Sequence, residues 1–223
     1  MAKKDENVVT RTEKIAASTD SWIGAHAKML IGIGATVIVA LLVLLVVFSV
    51  LNNKKESKFD SLTALETSYQ NIESVGDEQF ITECEALISD AGLKSYPGAK
   101  AALYLADVAY GNEDYSTALD WYTQLAEAQS DTYLYQVATV NAAACQEMLK
   151  NEGEALKLYN TLWDSFGKNG LYGSRALFNA ARIHEAQGNL DMAIASYEQL
   201  IAEYEDIQSE YAALAKTRLA QIN

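Results

Sequence analysis

Residues 29–51 form one continuous apolar stretch near the start of the chain. They include no charged residue and are predominantly aliphatic. At about 1.5 Å per residue, a helix of this length spans a hydrocarbon core of about 30 Å with some tilt. A cleaved signal peptide would have a shorter apolar core followed by a small residue, whereas Leu51 lies at that position. The pattern therefore predicts an uncleaved transmembrane helix.

Beyond the apolar stretch, a pattern of Ala, Tyr and Leu repeats three times. The three residues lie at positions i, i+4 and i+7, which share one face of a helix. A second alanine-rich amphipathic segment and a short polar turn precede each repeat, and this order predicts an array of helical hairpins. The matching sets are Ala118/Tyr122/Leu125, Ala155/Tyr159/Leu162 and Ala193/Tyr197/Leu200.

These patterns predict an all-α protein, with a single N-terminal transmembrane helix and an α-solenoid of about four hairpins. We expect a short cytoplasmic tail at 1–28, the transmembrane helix at 29–51, a degenerate first hairpin at 52–95, and further hairpins at 96–223. Apolar positions within 208–222 predict a C-terminal capping helix, which a repeat array needs to cover its last apolar face.

Small residues in the apolar stretch define a possible packing face. Gly32, Thr36 and Ala40 lie four residues apart, so a partner helix would approach closely there. The alternative is that these small residues occur by chance. The tail carries five basic residues against three just after the stretch, which weakly favours a cytoplasmic tail.

Composition and charge restrict the function classes. The net charge is −13, which argues against nucleic-acid binding because phosphate contacts need clustered Lys and Arg. His26 and His184 are isolated, and we expect Cys84 and Cys145 to be two buried thiols. No catalytic, phosphate-binding or metal-binding motif is found. We therefore expect no enzyme activity, no cofactor, no metal and no small-molecule substrate.

The repeats resemble the tetratricopeptide repeat. A small residue, an alanine and an aromatic residue match its eighth, twentieth and twenty-fourth positions, over roughly 97–205. The resemblance implies a protein-binding groove lined by the first helix of each hairpin. Carried over position by position, the groove residues are Leu103, Asp107, Tyr110, Val140, Ala144, Glu147, Met148, Phe178, Arg182 and Glu185.

The whole layout is similar to the bacterial ancillary Sec translocon subunit (YfgM-like) family. That resemblance implies an inner-membrane, single-pass adaptor whose C-terminal domain lies in the periplasm and links Sec translocon subunits to periplasmic chaperones or clients. An alternative is a structural scaffold in an envelope assembly, such as a flagellar motor collar or an outer-membrane biogenesis complex. In the reverse orientation, the chain would instead regulate an enzyme on the cytoplasmic side.

Overall fold

The computed structural model describes residues 2–72, 77–205 and 207–222, with side chains from residue 13 onward. The described residues are helical apart from short connections, and none of them lies in a β-strand. The chain divides into two compact units, Met1–Glu56 and Ser57–Asn223. This architecture confirms the predicted fold class.

The N-terminal unit consists of the first part of a long helix, α1 (Ala2–Gln70). Its apolar stretch is long enough to cross a membrane, and the apolar side chains within it are exposed. The Thr36 hydroxyl donates to the Gly32 carbonyl oxygen at 2.9 Å, so it is satisfied within the helix. Gly32, Thr36 and Ala40 are all exposed on this helix, and their role in packing stays a prediction.

The second unit starts at Ser57 within α1 and continues through eight further helices in the described part of the chain. From α2 onward successive helices pack against each other, and α9 also packs against α7. The end of α1 contributes Leu62 and Leu65 to a cluster with α2. The helices are α2 (Asp77–Ala91), α3 (Tyr96–Gly111), α4 (Tyr115–Ala128), α5 (Tyr133–Met148), α6 (Glu152–Phe166), α7 (Gly173–Ala186), α8 (Leu190–Glu203) and α9 (Glu210–Ile222). A single 3₁₀ turn (Gly167–Asn169) lies between α6 and α7.

Four hydrophobic clusters hold the hairpins together. The first joins the end of α1 to α2 and α3, and the second joins α3, α4 and α5. The third joins α5, α6 and α7, and the fourth joins α7, α8 and α9. Each cluster thus contains the first helix of the following hairpin or the capping helix, so stacking completes a core that one hairpin does not enclose alone.

The repeated alanine, tyrosine and leucine positions form the centre of these clusters. We number the three hairpins that carry this pattern first (α3 and α4), second (α5 and α6) and third (α7 and α8), apart from the degenerate hairpin that precedes them. Within the third hairpin, Ala193, Tyr197 and Leu200 are all fully buried. The equivalent residues of the other two hairpins are also buried, because one helical face carries all three positions. Cys84 and Cys145 are fully buried in the first and second clusters, which confirms the expectation of two buried thiols.

The turns inside the three numbered hairpins have the same left-handed backbone conformation. Glu113, Lys150 and Gly188 have φ values of 62°, 65° and 77°. At the third turn, the next amide, of Asn189, donates to the His184 carbonyl oxygen at 2.9 Å, and the other two turns have the same bond. Only Gly188 adopts this conformation without the steric cost of a Cβ atom.

Candidate protein-binding groove

Buried tyrosines and carboxylates connect neighbouring hairpins. The Tyr159 hydroxyl donates to Glu147 Oε1 at 2.8 Å, and Glu147 is also paired with Arg182 of the following hairpin. Arg182 follows the small Ala181 on α7. Its side chain crosses the boundary between the two hairpins to pair with Glu147 of α5. The carboxylate thus has one partner within its own hairpin and one in the next.

The same arrangement recurs at the next boundary. The Tyr197 hydroxyl donates to Glu185 Oε2 at 2.9 Å, and Arg218 Nε of α9 donates to the same oxygen at 3.1 Å. Burial, together with the bond to Glu185, raises the pKa of Tyr197 to about 12, so its hydroxyl stays a donor at neutral pH. This arrangement holds the capping helix against the third hairpin.

A cavity of about 500 Å³ opens between α3, α5, α6, α7 and α9. We call this cavity and its lining the groove. Its lining combines aromatic, aliphatic, amide and charged side chains, which is the mixture expected of a surface that anchors a protein segment. Five residues predicted from sequence line it: Tyr110, Ala144, Glu147, Met148 and Arg182.

Two of the predicted groove residues are core residues instead. Val140 is 0% exposed and belongs to the third cluster, and Leu103 is 8% exposed in the second. Neither side chain is accessible to a partner, because the neighbouring helices cover that part of the first helix of the hairpin. The surface available for binding is therefore narrower than the sequence pattern predicts.

The other three predicted residues lie outside the cavity and are half-buried. The Phe178 ring packs against Tyr211, with ring centroids 5.6 Å apart, and Glu185 is held by Tyr197 and Arg218. Asp107 Oδ1 accepts a hydrogen bond from the hydroxyl of the buried Tyr122 at 2.6 Å. These residues support the groove or extend it, and their role in binding stays a prediction.

Six further residues that line the groove were not predicted from the sequence as groove residues: Lys150, Glu152, Tyr159, Arg175, Asn179 and Tyr211. Arg175 and Asn179 share one face of α7 with the predicted Arg182, at positions i, i+4 and i+7. Helical periodicity would therefore have identified both residues. Tyr211 comes from the capping helix, and only tertiary packing brings it to the groove.

The positively charged residues of the groove include Arg175, which differs from Arg182 in its partners. Arg182 is paired with Glu147, whereas Arg175 forms no ion pair within 4.0 Å in the part of the chain that the structure describes. Its charge opposes the rise in the pKa of Tyr110, which burial causes. A half-buried guanidinium with five donors and no carboxylate partner favours an anionic or carbonyl-rich ligand.

The remaining candidates do not assemble a reactive site. His184 is buried, and its Nδ1 has no hydrogen-bond partner among the described residues. Burial raises the pKa of the Cys84 and Cys145 thiols to about 12, so neither is a reactive thiolate at neutral pH. Within the described ranges, no group of three or more metal-ligating side chains is found.

The fold and the groove define a helical-repeat protein of the protein–protein interaction class. Residues 175–206 match the tetratricopeptide repeat family. The match covers α7 and α8, and the two preceding hairpins carry the same alanine and tyrosine positions. Repeats of this family generally serve as non-catalytic scaffolds.

One curated relative extends the similarity beyond a single repeat. The chain is 26% identical over 147 residues to a TPR repeat-containing protein of Treponema pallidum (strain Nichols). The aligned region covers 66% of this chain and 60% of the relative, so the chain spans less than two thirds of that protein. Together, these findings support a tetratricopeptide-repeat protein and indicate an adaptor role in protein–protein interaction.

Proposed function

We propose that this chain is a single-pass membrane-anchored adaptor that recruits a protein partner through the groove. The groove is the observation that carries the proposal, because its cavity of about 500 Å³ presents an arginine without an ion-pair partner within the described ranges. Aromatic side chains from α3 and α9 line the same cavity, and they supply apolar contact area in addition to the charge.

The membrane anchor is the second part of the proposal. The apolar residues of 29–51 are exposed along one helix, and such a surface is stable when lipid covers it. Tethering raises the effective concentration of the repeat unit near other proteins of the same membrane. An adaptor of moderate affinity would therefore act efficiently only at that membrane.

The partner class follows from the layout. The resemblance to the ancillary Sec translocon subunits supports a repeat unit in the periplasm, where it would contact the translocon and chaperones or exported clients. The acidic repeat unit would be repelled by an anionic bilayer surface, which favours a location away from the lipid. The same anchor-and-repeat layout would also suit a scaffold subunit, which the experiment below distinguishes.

Site-specific photo-crosslinking in cells that express the full chain tests the proposal. A crosslinker at Asn179 lies in the groove, and one at the exposed Thr161 of α6 is the matched control outside it. We expect Asn179 to capture a defined partner that Thr161 does not capture. Equal capture at both positions, or none at Asn179, would contradict the groove as the binding site.

The identity and number of captured proteins separate the two partner classes. Translocon subunits and exported chaperones, captured in amounts that depend on secretion, support the adaptor. Envelope subunits captured at a fixed ratio support the scaffold. Deletion of 1–51 tests the anchor, because an unanchored repeat unit that retains full capture would contradict the tethering.

A further inference from the structure

A second cavity, of about 330 Å³, lies between α4, α5 and α6, where the first hairpin meets the second. We call it the junction cavity. In the part of the chain that the structure describes, it shares no lining residue with the groove. On α5, Thr139 and Ala142 line the junction cavity, whereas Ala144 and Glu147 line the groove. The two cavities therefore lie on different faces of α5.

The lining of the junction cavity is suited to an apolar group. All three helices contribute apolar or aromatic side chains, namely Leu119, Ala126, Tyr135, Ala142 and Leu158. Thr139 also lines the cavity and is buried, but its hydroxyl donates to the Tyr135 carbonyl oxygen at 2.7 Å. This hydroxyl therefore needs no hydrogen-bond partner from a ligand.

At the two neighbouring junctions, a tryptophan of the chain itself packs at the equivalent repeat position. Three residues after its repeated alanine, the first hairpin has Trp121, which packs against the first cluster. Eight residues after its repeated alanine, the second hairpin has Trp163, which packs against the fourth cluster.

The junction of the first and second hairpins has smaller residues at both of these repeat positions. Leu158 is the equivalent of Trp121, because it lies three residues after Ala155. Ala126 is the equivalent of Trp163, because it lies eight residues after Ala118. Both Leu158 and Ala126 line the junction cavity. The cavity thus lies where an indole ring packs at the other two junctions.

The charges beside the cavity add a second preference. Glu127 is exposed, lines the cavity and forms no ion pair within 4.0 Å among the described residues. Glu154 also lines the cavity, but it is paired with Lys157 at 3.6 Å. Glu127 therefore favours a basic residue of a partner next to the apolar group.

We propose that the junction cavity binds a tryptophan side chain of a partner protein, with a lysine or arginine adjacent to that tryptophan in the partner. The partner's indole would pack between Ala126 and Leu158, in the way that Trp121 and Trp163 pack at the neighbouring junctions. A buried aromatic side chain of this kind anchors a protein interface. The site lies outside the groove, so it adds a second binding surface to the repeat unit.

Peptide retention on the full chain in detergent micelles tests the site. The probes are two amidated heptapeptide libraries with Lys-Trp-Lys or Lys-Ala-Lys at the centre and four randomised positions. The two libraries have the same fixed charge, so the acidity of the protein affects both alike. We expect the wild-type chain to retain the tryptophan library about tenfold better, as a buried aromatic anchor predicts.

Two variants fill the cavity from within the chain. Ala126→Trp and Leu158→Trp each place an indole where a neighbouring junction has one. We expect either change to raise the melting temperature and to abolish the preference for the tryptophan library. Micelles take up tryptophan peptides equally in every variant, so the comparison between variants reports on the cavity. An unchanged preference in either folded variant, or no preference in the wild-type chain, would overturn the site.

Matched controls separate the cavity from general effects of an added ring or a lost charge. Ala213→Trp adds the same indole at an exposed position of α9 and should change neither the melting temperature nor the preference. Glu127→Gln should lower the retention of the tryptophan library about threefold, as expected for a partly solvated ion pair. Glu198→Gln removes an exposed carboxylate of α8 and should leave the retention unchanged. Equal retention by these two glutamine variants would overturn the preference for an adjacent basic residue.

Two other occupants of the cavity give different results. If N-acetyl-tryptophanamide competes as well as the peptides at equal concentration, the site binds a small aromatic molecule and the partner segment is refuted. If the wild-type chain forms a dimer that Ala126→Trp dissociates, the occupant is a second copy of the chain. The crosslinker at Asn179 reports separately on the groove, so failure at one site is distinguishable from failure at the other.

Discussion

The hydrogen bond between Tyr159 and Glu147 predicts that substitutions at these two residues have strongly non-additive effects on the free energy of unfolding. Tyr159 is 0% exposed, and its hydroxyl donates to Glu147. Replacing Glu147 by leucine removes that acceptor and also the partner of Arg182. The carboxylate and guanidinium side chains are 18% and 43% exposed, so solvent screens the ion pair in part.

The two losses differ in size. A buried hydroxyl left without an acceptor costs about 1–3 kcal/mol. A partly exposed ion pair contributes up to about 1 kcal/mol. We therefore expect Glu147→Leu to lower the free energy of unfolding by about 3 kcal/mol. In a Tyr159→Phe background no hydroxyl is left unpaired, and the same change should cost about 1 kcal/mol.

Urea denaturation of the full chain in detergent micelles measures these values. Trp121 and Trp163 lie in the repeat unit and report its unfolding by fluorescence. Glu147→Gln is the matched control, because its amide oxygen still accepts from Tyr159, and it should cost about 1 kcal/mol. If Glu147→Leu costs the same in both backgrounds, the hydroxyl is not coupled to the carboxylate and the reasoning is refuted.

Three further predictions concern single positions. Burial raises the folded-state pKa of Asp107 above its usual value of 3.8, so Asp107→Asn should be more stable than the wild type at pH 7. This stability advantage should shrink as the pH falls towards 3.8. Urea midpoints at both pH values measure it, and a pH-independent difference would contradict the prediction. Glu113→Gly should stabilise the first turn by about 1 kcal/mol and Gly188→Ala should destabilise the third by about the same amount, as melting temperatures would show. Cys84 and Cys145 should resist alkylation at pH 8 until denaturant is added, and labelling of either at the rate of a free thiol would show that its cluster opens readily.

The hairpin array was predictable because its signal is local. The spacing of Ala118, Tyr122 and Leu125 defines one helical face within eight residues, and the same spacing recurs in the next two hairpins. Polar turns and a small residue in each preceding helix completed the pattern. The apolar stretch of 29–51 was equally clear, since its length and lack of charge are properties of the sequence alone.

The groove depended on how the hairpins stack, which no local pattern encodes. Val140 and Ala144 are four residues apart on the same helix, yet Val140 is enclosed by the third cluster whereas Ala144 lines the cavity. Tyr211 reaches the groove only because the capping helix packs against the third hairpin. The edge of a packed interface is set by contacts between residues distant in the chain, so helical periodicity alone does not locate it.

For the charged residues too, the sequence determined their positions along the helices, whereas the tertiary structure decided which of them form pairs. The sequence determined that Asp107, Glu147 and Arg182 lie on the first helices of their hairpins. Tertiary structure decided that Arg182 neutralises Glu147, whereas Asp107 has no such cation among the described residues. Pairing depends on side chains meeting across a boundary between hairpins, and only the stacking of one hairpin on the next brings them within bonding distance.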